Sequence, residues 1–150
     1  MNRLIFIALL NSACGFTPQS GTYIFQALGD ENNCGPAYQL TIWDEPSFQP
    51  MTIDTKTNQI ILEDSTGQIW DLADNIATYE EVMYVADGGD FDVFITGFMR
   101  MEWNSPTEGT GENGLTITCE EADCSSYAGI VDAEQIPCKS AVEFEFSLVE

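Results

Sequence analysis

Five cysteines, three tryptophans, 25 acidic residues and no histidine define the chemistry open to this chain. Without histidine there is no Ser-His-Asp or Cys-His nucleophilic machinery. No glycine-rich phosphate loop occurs, and Lys56 and Lys139 have no P-loop context. Carboxylate chemistry remains, as in a hydrolase that uses two acids. With so many acids every pair is as good as any other, so no catalytic residue is assigned and a non-catalytic protein is expected.

Cys34, Cys119, Cys124 and Cys138 form an even set, which in an exported domain implies two disulfides. Three pairings are open. Cys34–Cys119 with Cys124–Cys138 is favoured, because the second bond would close the turn-rich segment 125–137. Cys119–Cys124 with Cys34–Cys138 follows closely. A zinc site lacks both a CxxC pair and histidine. For calcium, Asp87, Asp90 and Asp92 offer three carboxylates in one loop, and hard oxygen ligands suit that ion. The plainer reading is an acidic turn, and no cofactor is expected otherwise. The segment Asp30-Glu-Asn-Asn-Cys-Gly35 matches a calcium loop at three places but fails at Cys34 and Thr41. Trp43, Trp70 and Trp103 are candidate ligand-binding residues, since aromatics on a β face stack on sugar rings; core packing is the ordinary alternative.

Strands must position these residues. Gly21–Ala27 alternates and runs into the turn cluster Gly29–Asn33. Ala37–Trp43 reads as a strand with Tyr38, Leu40 and Ile42 on one face. Hairpins are expected around Thr55–Thr57 and Asp64–Gly67. Asp74–Val85 reads as a short helix or turn that becomes strand near Val82. Phe91–Trp103 is the clearest strand, with Phe91, Val93, Ile95, Gly97, Met99, Met101 and Trp103 on one face. Gly97 suggests a bend or bulge there. Asn104–Gly114 is expected to be a mobile loop. Gly114–Glu120 and Ala141–Val149 complete the set, the latter with Val142, Phe144, Phe146 and Leu148 inward. The expected fold is all-β and antiparallel, with 8–9 short strands in a curled or closed barrel of lipocalin-like architecture; a β-sandwich is the alternative. Phe91, Val93, Ile95, Met99, Met101, Phe144 and Phe146 are expected to line its interior, as packing or around a small apolar ligand.

The first residues carry an address. Arg3 precedes the apolar run Leu4–Leu10, and Ser12 and Ala13 lead into Cys14. A charged start, an apolar middle and small residues before a cysteine resemble the signal peptide and lipobox of bacterial lipoproteins. Asn11 departs from that pattern, where an apolar residue is usual. The resemblance implies removal of residues 1–13, a diacylglycerol on Cys14, a tether over 14–20 and a single β-domain over 21–150. It also implies a lipid-anchored location in a bacterial cell envelope, at an outer membrane or cell surface. Seven apolar residues cannot span a bilayer, which takes about 20 as a helix.

Composition limits the partners. Four Lys and Arg stand against 25 acids, a formal net charge of −21. Phosphate contacts need cations, so no nucleic-acid partner is expected. Attachment to a membrane must rest on the lipid. The expected protein is a monomeric, non-catalytic binding or structural lipoprotein for a small apolar ligand or a protein partner. A carbohydrate-binding module is the alternative, and a carboxylate-dependent hydrolase a third reading. Intact-mass spectrometry of the membrane fraction should find a chain starting at Cys14 with added acyl mass, two hydrogens lighter per disulfide than its reduced form. An unprocessed Met1 in the soluble fraction would exclude the anchor.

Overall fold

The computed structural model describes residues 15–63, 68–87, 92–120 and 124–149. Its strands are β1 (Gly21–Asn32), β2 (Ser47–Asp54), β3 (Gln59–Leu62), β4 (Ile69–Ala73), β5 (Ile76–Asp87), β6 (Asp92–Trp103), β7 (Glu108–Cys119) and β8 (Cys138–Leu148). Each pairs antiparallel with the next, and β1 returns to pair with β8. The sheet is therefore a closed eight-stranded barrel and not a sandwich. Period-two alternation drives this outcome: most strands have one apolar face, and closing the sheet buries those faces at once, while Val82, Met83, Tyr84 and Val85 of β5 stay exposed.

Turn chemistry explains where the strands begin. The Asp54 carboxylate accepts the Lys56 backbone N–H at 2.8 Å, and Asn58 takes a left-handed φ of 54°, which closes the β2–β3 hairpin. Asp74 and Asn75 both have positive φ, 50° and 66°. Two such residues are the signature of a type I′ hairpin turn. They start β5 at Ile76, so the short helix expected after Asp74 does not form.

Other expectations are corrected. β1 continues through the turn cluster to Asn32, with a register shift between Ala27 and Gly29. Ala37–Trp43 is not a strand. Gly35, at φ 102°, and Pro36 begin a 3-10 turn over Pro36–Tyr38, and an irregular segment carries the chain to β2. Tyr38 and Trp43 pack against the cores instead of pairing, Ile42 is exposed, and the Tyr38 hydroxyl donates to the Val131 carbonyl. The bulge falls not on Gly97 but on the facing strand, between Val82 and Tyr84, where the Met83 side chain lies over Gly97. The tether residues Phe16 and Pro18 lie partly or fully buried, and Phe16 packs on the barrel core.

The largest correction is β7. Residues from Glu108 onward are strand, not loop. Gly109 and Gly111 sit directly opposite Phe146 and Phe144, and a β-carbon at Gly111 would lie 2.6 Å from the Phe144 ring. The aromatic rings cover the glycines and supply the packing that the glycines lack.

Two cores result. One fills the barrel around Tyr23, Met51, Ile60, Trp103, Phe144 and Phe146. The other joins Val93, Ile95, Leu115 and Ile117 to the β7–β8 connection through Ala128, Val131 and Ile136. Both disulfides border this second core. They are Cys34–Cys138 and Cys119–Cys124, the second of the favoured pairings and not the first. Cys34–Cys138 spans 104 residues and Cys119–Cys124 spans 5. In the chain-entropy account these contribute about 4.7 and about 2 kcal/mol. Replacing Cys34 and Cys138 by Ser should therefore lower Tm by roughly 10 °C more than the same change at Cys119 and Cys124. Calorimetry of the two double variants checks this, and equal losses would contradict it.

Candidate functional site

A half-open cavity of about 360 Å³ lies inside the barrel at the level where the short strands end. Ser47 begins β2, Leu62 ends β3 and Trp70 stands second in β4; all three line the cavity. Phe25, Met99, Met101 and Phe144 form the far wall, and Trp43 closes in from the irregular β1–β2 connection. Its ring centroid is 6.1 Å from that of Phe144. A second hollow of about 400 Å³ shares Trp70, Met99 and Asn113 with the first and extends past Tyr79, Glu81 and Met83 to Leu40.

The hollows lie beyond the glycines of β7. Gly109 and Gly111 are covered by phenylalanine rings, but Asn113, the next inward residue, pairs with Val142 and Met99. Its β8 partner is Val142 rather than a phenylalanine, and both hollows reach it.

Three polar features shape the site. The Trp70 and Tyr79 rings are stacked, 24° apart in plane with centroids 5.9 Å apart. The Tyr79 hydroxyl donates to the Glu81 carboxylate at 2.6 Å, and this bond raises the Tyr79 pKa above its ordinary value. The indole N–H groups of Trp43 and Trp70 are shut off from solvent and have no acceptor among the described residues. A buried donor left unpaired costs about 1–3 kcal/mol. By contrast, the Trp103 N–H donates to the Tyr23 hydroxyl at 3.4 Å, and Tyr23 in turn donates to the Gln19 carbonyl at 2.6 Å. Burial holds the Tyr23 pKa up.

The sequence-derived candidates thus separate. Trp43 and Trp70 meet at the cavity, whereas Trp103 belongs to the closed core, packed edge-on to Phe146 at 4.9 Å. Trp70 and Trp103 are 3% and 2% exposed, so the three do not form an open aromatic row. Among the residues expected inside, Met99, Met101 and Phe144 line the cavity, while Val93 and Ile95 pack in the second core. Phe91, Cys14 and Asp90 lie outside the described residues. Asp87 and Asp92 face each other across β5 and β6, and no group of three potential metal ligands occurs among the described residues.

Carboxylates are placed mostly outside. Glu81 is the one acid lining the two hollows among the described residues. An outer groove of about 360 Å³ holds Glu108 and Glu145, both exposed to water. The described basic side chains also point outward. Arg100 pairs with Glu102 at 2.8 Å, and Lys139 bonds Glu112 and reaches Glu31 at 3.8 Å.

Tyr79, Glu81 and Asn113 were not singled out by sequence reasoning. Reading Asp74-Asn75 as a type I′ turn would have found the first two, since alternation from Ala77 puts Tyr79 and Glu81 on the inner face. Fold and site together define a closed antiparallel barrel with an aromatic interior cavity. Compared with known families, curated proteins and solved structures, the chain matches none.

Stability should respond to Tyr79 at high pH. Its folded-state pKa lies above the unfolded value, so the stabilisation is complete below about pH 10 and is lost as pH rises through the folded value. In a phenolate absorbance titration, the component removed by Tyr79→Phe should ionise late, and Glu81→Gln should bring it back toward the ordinary range. An unchanged titration in Glu81→Gln would contradict the assignment.

Proposed function

We propose that this protein is a lipid-anchored envelope protein, held through Cys14, whose barrel interior binds a small apolar ligand without catalysis. The observation that supports the reading most is the aromatic cavity walled by Phe25, Trp43, Trp70 and Phe144. Its volume, about 360 Å³, falls within the usual range of small-molecule sites, about 300–1,000 Å³. The paired cysteines are in keeping with an oxidising compartment. A carbohydrate reading draws less support, because stacking on sugars needs accessible ring faces and Trp70 is almost fully buried. A two-carboxylate reaction draws less still, with one acid at the hollows and solvated acids in the outer groove.

The neutral fluorophore N-phenyl-1-naphthylamine tests the interior directly. Its emission should rise on binding to the full chain. Met99→Trp, which fills the wall shared by both hollows, should weaken binding at least about tenfold while leaving the far-UV circular dichroism of the barrel in place. Binding that survives Met99→Trp unchanged would locate the fluorophore elsewhere and overturn the reading.

A further inference from the structure

We infer that the open edge of β5, over Glu81–Ala86, accepts an extended basic segment of another protein as an added strand, with a Lys or Arg of that segment seated at Glu81. This goes beyond the interior ligand site: the surface is a strand edge, and its occupant is a polypeptide.

Unequal strand lengths create the edge. β5 pairs with β6 as far as Asp87, but with β4 only at Ile76, Ala77 and Thr78. β4 begins at Ile69, which that register places opposite Glu80. From Glu81 to Ala86 the second side of β5 has no strand beside it among the described residues. An open edge presents backbone N–H and C=O groups that pair readily with another chain. The side chains there are also uncovered: Val82, Met83, Tyr84 and Val85 are 55%, 64%, 57% and 45% exposed. Val82 and Val85 stand on the outer face with Thr96 and Phe94, their β6 partners. Met83 and Tyr84 lie inward, over Gly97 and opposite Ile95. Both faces of an added strand would therefore gain apolar contact.

Charge selects the occupant. Two copies of this chain would each bring a formal net charge of −21, and acids on an edge oppose self-pairing. A basic segment meets the opposite field. The described bases do not compete for the edge: Lys56 sits in the β2–β3 turn, Arg100 is held by Glu102 and Lys139 by Glu112. Glu80, on the outer face, shares a groove with Lys139. Glu81, on the inner face, has no ion pair among the described residues.

The hollow beside the edge supplies a pocket. Tyr79, Glu81 and Met83 of β5 line it together with Leu40, Trp70 and Met99, and Glu81 stays exposed to water. Apolar walls and one carboxylate match the apolar stem and cationic head of Lys or Arg. In strand addition, main-chain hydrogen bonds give affinity and pockets for alternate side chains give specificity. Edge and pocket lie side by side here.

Two capped peptides of about six residues, the length of the edge at about 3.3 Å per residue, test the pairing: one alternates Lys and Val, the other Glu and Val. Titrated into the oxidised full chain, the Lys peptide should bind at least about tenfold more tightly than the Glu peptide. In NMR hydrogen exchange it should slow amide protons within Glu81–Ala86. Glu81→Lys, at a position open to water, should weaken the Lys peptide about fivefold and leave the far-UV circular dichroism in place. No binding, equal affinities, slowed exchange confined to other strands, or an unchanged affinity in Glu81→Lys would overturn the proposal. A dimer of the chain alone in sedimentation, with the same amides slowed, would assign the edge to a second copy and overturn the basic partner.

Discussion

The Phe144 and Phe146 rings can lie across β7 only because Gly111 and Gly109 face them without a β-carbon. Much of the interior depends on that contact. It brings the aromatic side of β8 close to β7 and lets Phe146 reach Trp103 and Tyr23, so one stretch of the barrel is solidly filled. At the next inward step the residue is Asn113, its β8 partner is Val142, and the hollows lie there. Filled core and cavity are thus two sides of one alternation along β7.

Charge is managed by the same closure. A sheet joined to itself has one inside and one outside, and a chain with this excess of acids can put nearly all of them in water. Glu143 and Glu145 on β8 show the rule, alternating with Val142, Phe144 and Phe146. Glu81 keeps it too: it lines a hollow and accepts the Tyr79 hydroxyl, yet it remains exposed to water.

Much of the fold was legible in the sequence. The inward faces of β6 and β8 followed from alternation, because a residue two places along a strand returns to the same face, and the barrel was favoured over a sandwich by the closely spaced hairpins. What misled was local composition read without its partner strand. The Gly- and Thr-rich stretch before Gly114 looks like a loop until Phe144 and Phe146 are placed across it. Tyr38, Leu40 and Ile42 alternate like a strand, but Gly35 and Pro36 turn the chain before any pairing is made. For the cavity, the sequence singled out Trp43 and Trp70 as aromatics yet held nothing to separate them from Trp103. That distinction depends on hydrogen-bond partners and on which rings share a wall, and both are tertiary properties. The disulfide pairing was likewise undetermined, since spacing constrains loop size but not which strand ends meet.

The strands also differ in length around the barrel. β5 to β8 run for 11 or 12 residues each, while β3 has 4 and β4 has 5. A wall held by few ladder bonds separates from its neighbours at lower free energy than the rest of the sheet. The barrel therefore resembles a cup cut low on one side, and the cavity lies at the cut. Fraying of β3 and β4 would widen that opening while the ladders of the long strands stay whole, so the shape of the cavity mouth is decoupled from global stability.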